Sequence, residues 1–257
     1  MTKKTTFSTD FQWQIIESLL NVKRKSKWDL RNIWEGICYV TRTGCQWRLL
    51  PFDYPPWQTV YWYFRRWTMD GTIEIAHQEI RKSVRKSQGK KESASMGIID
   101  SCSVRMNATS GMDRGIDGNK KIKGLKRHMI VDSLGLIIDV VVHAANIHDS
   151  KGATQVLEMV NSSKHDEPNL RQIFADAGYR GKLIKWVKEN LKMNMTIVKR
   201  TDKTIKWAVQ PKRWIIERTF AWLLNFRRLV INYERTPESA ISYIFLAMMC
   251  LMVKNIN

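Results

Sequence analysis

A chain of 257 residues that is 44% hydrophobic is long enough to bury a large core and too apolar to be a mainly disordered polymer. Its 43 Lys and Arg against 24 Asp and Glu leave a formal charge of +19, an excess that points to nucleic acid ahead of an anionic membrane. Four cysteines with no CxxC pair and no neighbouring His cluster argue against zinc and disulfide frameworks and fit reduced thiols in a cytosol.

The opening MTKKTTFSTDF has no apolar stretch, so no secretion signal is expected. Residues 9–20 predict a helix with Phe11, Ile15 and Leu19 along one stripe and Ser8, Thr9 or Asp10 as its cap. After the basic turn NVKRKSK, Leu30, Ile33, Trp34, Ile37 and Val40 recur at helical spacing until Gly44. The prolines of RLLPFDYPP make a loop. Trp57, Val60, Tyr61, Phe64 and Trp67 then mark a third helix, and residues 73–85 a fourth. Short helices with basic connections suit a helix-turn-helix-like DNA reader; a plain bundle with an aromatic core is the alternative.

The polar run KSQGKKESASMG marks a linker, giving a helical module over 1–86, a linker over 87–97 and a second domain over 98–257. GIID reads as a strand, MNATSGMDRGIDGNK as a loop, and KRHMIVDSLG with LIIDVVVHAAN as a hairpin turning at 133–135. A helix over 150–160, the strand QIFAD, a helix over 182–191, the strand MTIVKR and a long helix over 213–229 follow. The apolar run at 241–253 is too short to span a bilayer and reads as a buried terminal helix. The pattern is an α/β domain, a mixed sheet flanked by helices, preceded by a small all-α module.

Three carboxylates stand out. Asp100 in GIIDSC and Asp176 in IFADAGYRG each follow an apolar run and are expected at the end of a buried strand, whereas Glu217 in RWIIERTFAWL lies inside a helix. On a basic chain such a set suits a metal-dependent nuclease or strand-transfer enzyme. Mg²⁺ takes oxygen ligands, and two ions about 4 Å apart can activate the attacking oxygen and stabilise the leaving one. Each acid taken alone also has a structural reading. Asp132 in IVDSLG is expected in a turn, Asp139 on an exposed strand face, and Glu217 in an ion pair with Arg213 one helical turn earlier.

The strings TRTGCQWRLLPFDYPPWQTVYWYFRRW, KGLKRHMIVDSLGLIIDVVVHAANIHDS, ADAGYRG and RWIIERTFAWLLNFRRLVINYE resemble the DDE transposases of bacterial insertion sequences, specifically the IS-five group within the IS4-like superfamily. The resemblance runs over about residues 7–235. It implies an RNase H-like fold and assigns catalysis and metal binding to Asp100, Asp176 and Glu217, with two Mg²⁺ or Mn²⁺ ions. Arg213, four residues before Glu217, is then expected to contact phosphate. Tyr179 and Arg180 after Asp176, Arg227 and Arg228 farther along the same helix, and Lys126, Arg127 and His148 complete the expected DNA contacts, with Asp149 or Ser150 as a helix N-cap the competing role beside His148. His128 is expected to pack on its strand or touch phosphate. The tyrosine and lysine that flank the Arg–Glu pair in a neighbouring group are replaced here by Gln210 and Leu224.

The function so implied is transposition. The helical module would bind the terminal inverted repeats, and water would expose a 3′-hydroxyl that then attacks target DNA. A dimer or higher assembly on double-stranded DNA is expected, in the bacterial cytoplasm at the nucleoid and away from the membrane. A nuclease without strand transfer uses the same residues, and a non-catalytic DNA-binding regulator is the other alternative.

Overall fold

Thr9 starts the first helix, α1 (Asp10–Leu19), by accepting from the Gln12 backbone N–H while the Gln12 side chain accepts from Thr9 N–H, a reciprocal cap. In this computed structural model, which describes residues 6–22, 26–108, 110–162, 167–198 and 212–256, the helix buries Trp13, Ile16 and Leu20. Phe11, placed on the core stripe by the sequence, is 53% exposed. Two stripes of equal period overlap in this segment, and the one headed by the larger Trp13 ring turns inward.

The chain divides into two compact units, Met1–Glu92 with Leu223–Asn257, and Ser93–Trp222. In the first, α2 (Leu30–Thr43) is capped by Asp29 and ends at Gly44, whose φ of 69° is the left-handed conformation that closes a helix. A turn at Trp47–Leu49 and helices α3 (Trp57–Met69) and α4 (Thr72–Ser87) follow. Ile33, Trp34, Ile37, Val40, Val60, Phe64 and Trp67 face the core as their spacing predicts. Into this core comes α9 (Pro237–Met252), begun by a Thr236 cap and a proline in its first turn. It is apolar on all sides because α2, α3 and α4 all pack on it. With the turn after it, the helix is long and apolar enough to cross a membrane by length and composition, and two thirds of it is buried in the protein. This tail, expected in the second domain, has its apolar surface covered by the first unit's helices.

The expected long helix over 213–229 is interrupted. α7 (Arg213–Leu224) stops, Phe226 takes an extended conformation with its ring buried 5.0 Å from the Arg42 guanidinium, and α8 (Arg227–Val230) is a separate turn.

The second unit holds a six-stranded sheet: β1 (Met96–Arg105), β2 (Gly115–Asp117), β3 (Ile122–Val131), β4 (Ile137–Ala144), β5 (Gln172–Ala175) and β6 (Asn194–Ile197). β1 is central, antiparallel to β3 and parallel to β5, which is parallel to β6. β4 and the short β2 share the far edge of β3. α5 (Asp149–Ser162) and α6 (Lys182–Trp186), which runs on into a wider turn at Val187–Leu191, cover one face over a core that includes Ile99, Ile130, Val156 and Ile173. The antiparallel trio joined to a parallel pair, flanked by helices, is the RNase H-like arrangement.

Two expectations change here. β1 continues five residues past the GIID segment, because β3 pairs with it as far as Arg105, so Asp100 lies within the strand. Asp139 is buried, not on an exposed face, and its carboxylate accepts from Val140 N–H.

Candidate active site

The parallel pairing of β1 with β5 ends at Ile99 and Ala175, and the next residue on each strand is an aspartate. Side chains alternate along β1, so Ile99 and Ser101 face α5 and Asp100 points to the opposite face. Asp100 is mostly buried and accepts from Ser101 N–H at 2.7 Å. Burial pushes its carboxyl up to about 6, against the opposing pull of the Ser101 N–H and of Arg213. Asp176 leaves the sheet and caps the turn Ala177–Tyr179 by accepting from Gly178 N–H at 2.8 Å.

Glu217 comes from α7, which the β3–β4 turn holds in place. Thr219 Oγ1 donates to Gly135 O at 2.7 Å and Arg218 to Leu134 O at 2.9 Å. The Arg218 guanidinium is also 4.6 Å from each of the Trp214 and Trp222 rings one turn either side. Arg213 draws the three acids together. Its Nε is 3.6 Å from Asp100 Oδ2 and 3.2 Å from Glu217 Oε1, and its Nη1 is 3.6 Å from Asp176 Oδ2. The expected Arg213–Glu217 ion pair is therefore one side of a larger cluster.

A cation not singled out in the sequence joins them: exposed Lys120 donates to Ser101 O at 3.2 Å and helps hold the Asp100 carboxyl down. Its signal was present in GIDGNKK, a turn that carries lysines back beside β1, but the turn's destination depends on β2 pairing with β3.

Behind the acids, on the α5 face, lies a buried polar layer. Lys126 Nζ donates to Asp149 Oδ1 at 2.9 Å and to Ile147 O at 3.0 Å, and Ser101 Oγ donates to Asp149 Oδ1 at 3.1 Å. Burial works to raise the Asp149 carboxyl, but Lys126, His128 and Ser101 outweigh it and hold it below the usual range. His143 Nδ1 lies 2.9 Å from Ala144 O and so carries the proton; its Nε2 then accepts from His128 Nδ1 at 2.8 Å. Burial, with His143 beside it, pushes His128 down to about 3, so this ring is neutral and packs rather than binding phosphate.

The structure places the expected DNA contacts in different surroundings. Tyr179 is 1% exposed, and burial with Asp100, Asp149 and Asp176 around it keeps it a neutral phenol beneath the acids. Lys126 and Arg127 are buried in the sheet. Arg228 belongs to the first unit, where it pairs with Glu234 at 2.7 Å. Arg180 and Arg227 are exposed. His148, also exposed, accepts from Ser150 N–H through Nδ1 and so caps α5. Asp132 is the turn residue its sequence predicted, accepting from Leu134 and Leu136 N–H. Leu224 ends α7 with its side chain exposed, and Gln210 lies outside the described residues.

The donor set around Arg213 is all carboxylate oxygen, the chemistry a hard divalent cation takes. Among the described residues, no three His, Cys, Asp or Glu side chains are close enough to share an ion, and the Arg213 guanidinium occupies the point where the acids converge. The residues fit such an ion in kind, with a cation already in their midst.

Residues 91–253 match the family model "Transposase DDE domain". Residues 9–77 match a second, "Putative transposase of IS4/5 family". A Burkholderia cepacia protein described as "Putative transposase for insertion sequence element IS402" is 28% identical over 137 residues, 51% of this chain and 62% of that protein. A Brucella ovis protein described as "Putative transposase for insertion sequence element IS6501" is 26% identical over 133 residues, 50% of this chain and 95% of that protein. The chain thus spans less than two thirds of the first relative's length. No solved structure matches it.

Proposed function

The chain belongs to the transposase DDE-domain family, and on that premise we propose that it is the transposase of an insertion sequence, cutting DNA at the element's ends and joining them to a target. The observation that carries this reading is the convergence of Asp100, Asp176 and Glu217, from two strands and a helix, on one guanidinium.

Asp100, Asp176 and Glu217 would hold Mg²⁺ or Mn²⁺, two ions in the full site. Bound there, the metal supplies the Lewis acidity that activates water or a 3′-hydroxyl and stabilises the departing oxygen. The protein's own groups do the rest. The end of the β1–β5 pairing fixes two carboxylates on a rigid sheet, and the Thr219 and Arg218 bonds to the β3–β4 turn set α7 and thus Glu217. Arg213 balances the acids' charge and is within reach of a phosphate arriving beside them. Exposed Arg180 and Lys120 extend that positive rim. The helical unit, with Arg227 on its surface, would read the terminal inverted repeats. Since two ends must be handled together, the acting species would be a dimer or larger on DNA.

Purified protein with end-containing duplex and Mg²⁺ should nick it at the element boundary and transfer the 3′ end. Asp100→Asn, Asp176→Asn and Glu217→Gln should each abolish nicking. Full activity in any of the three would overturn the assignment of that residue, and hydrolysis without transfer would reduce the protein to a nuclease.

A further inference from the structure

The first unit carries a cleft lined by aromatic rings. It is a cavity of 680 Å³ between α3, the Trp47–Leu49 turn and the residues leading into α9. Trp57 and Tyr61, one helical turn apart on α3, form one wall, and Tyr61 is braced edge-on by Trp47 at 5.2 Å. Tyr233, 40% exposed, stands among the lining residues from the chain before α9. A second cavity of 560 Å³ adjoins it along α3, sharing Trp57, Tyr61, Arg65 and Met69 and adding Trp62, which is 53% exposed. The two make a continuous groove of aromatic surface.

The charge around the groove is positive. Four arginines (48, 65, 228 and 235) and two glutamates line the larger cavity. Glu234 is already paired with Arg228, leaving Arg48, Arg65 and Arg235 against Glu238. Arg66 flanks the second cavity, 5.3 Å from the Trp62 ring.

We propose that this groove binds unpaired nucleotides of single-stranded DNA, the bases stacking on Trp57, Tyr61 and Trp62 and the phosphates meeting Arg65 and Arg235. It rests on the reading of the chain as an enzyme that opens DNA. In a duplex the faces of the bases are covered by their neighbours, so a concave aromatic wall has nothing to stack on until a base leaves the helix. Stacking on protein rings beside arginines is the chemistry of single-strand binding, tolerant of sequence because every base has a face. A second copy of this chain is a poorer occupant, because a symmetric contact would bring Arg65 and Arg235 of one copy against the same patch of the other.

The test is equilibrium binding by the full chain, in EDTA, of a short labelled oligothymidine and of a duplex of equal length, read by fluorescence anisotropy. Trp57→Leu is expected to weaken oligothymidine binding at least about tenfold while changing duplex affinity little, and Trp57→Phe to restore most of it. Since Trp57 is half-buried, the exposed pair Arg65→Gln with Arg235→Gln gives a second arm if Trp57→Leu fails to fold, with the same expected selectivity for the single strand. Unchanged oligothymidine affinity in the folded variants overturns the proposal, as does equal loss on both ligands. A fall in self-association by sedimentation with no change in oligothymidine binding would assign the groove to a second copy. Because no metal is present, failure of DNA nicking would sink the transposase reading without touching this measurement.

Discussion

Asp100 and Asp176 each stand one residue past the last parallel pair that joins β1 to β5, Ile99 with Ala175. From that shared point they diverge. β1 continues in antiparallel pairing, Asp100 opposite Met129, and keeps its carboxylate buried, while Asp176 turns out of the sheet. The same register therefore yields one acid held inside the sheet and one at the start of a turn.

The cost of Asp100 predicts a stability that depends on pH. Its folded value, near 6, lies above its ordinary 3.8, so folding favours the protonated form. Stability from this group is fully present below about pH 4 and is lost as pH rises through 6. Metal-free Asp100→Asn should then match the parent at pH 4 and exceed it by up to about 3 kcal/mol at pH 8, measured by urea denaturation. Equal stability at pH 8 would show that Asp100 is not desolvated.

Arg213 pulls the Asp100 carboxyl down, so its removal should push it farther up. In Arg213→Gln the acid limb of the cleavage-against-pH profile, measured at limiting Mg²⁺, should move above the parent's limb near 6. Cleavage at the optimum should also fall by roughly ten- to a hundredfold, the worth of one charge-assisted contact. A limb that stays in place would separate Arg213 from the acids.

Lys126 offers a test of burial against phosphate contact. Its ammonium sits between Asp149 and Asp117, 2.9 and 3.9 Å away. Lys126→Met would leave those carboxylates without their shared cation and should destabilise the protein by about 3 kcal/mol. A lysine that only touched DNA would instead weaken DNA binding and leave the denaturation midpoint where it was.

Gly152 lies inside α5, where alanine would ordinarily add about 1 kcal/mol of stability. Here a Cβ would fall 2.4 Å from both His128 Nδ1 and His143 Nε2, in the interior of the unit. Gly152→Ala should therefore lower the melting temperature, with a loss of about 2 kcal/mol, because the paired rings cannot both retreat.

What the sequence made legible was local. The periods of Ile33 to Val40 and of Val60 to Trp67 are strong and singly phased, and Gly44 marked a true helix end. The Phe11 stripe failed because an equally periodic one lay two residues on. β1 looked short because SCSVR is not apolar enough to announce a strand; its length comes from β3, some twenty residues away. Lys126, Arg127 and Tyr179 read as surface groups because polar residues usually are. Their burial depends on partners such as Asp149 and Asp117, which no local pattern brings to them. The three acids were distinguishable from Asp132 and Asp139 only through the strings around them, since spacing alone did not bring them to one guanidinium.

The return of residues 223–257 to the first unit has a consequence for synthesis. Helices α1 to α4 are translated before the sheet of the second unit, yet the apolar rod that fills their centre is translated after it. Until α9 arrives, Trp67, Phe64 and Ile80 have no complete interior to enter. A truncation that removes α9 would thus cost the protein the interior of a unit made well before it.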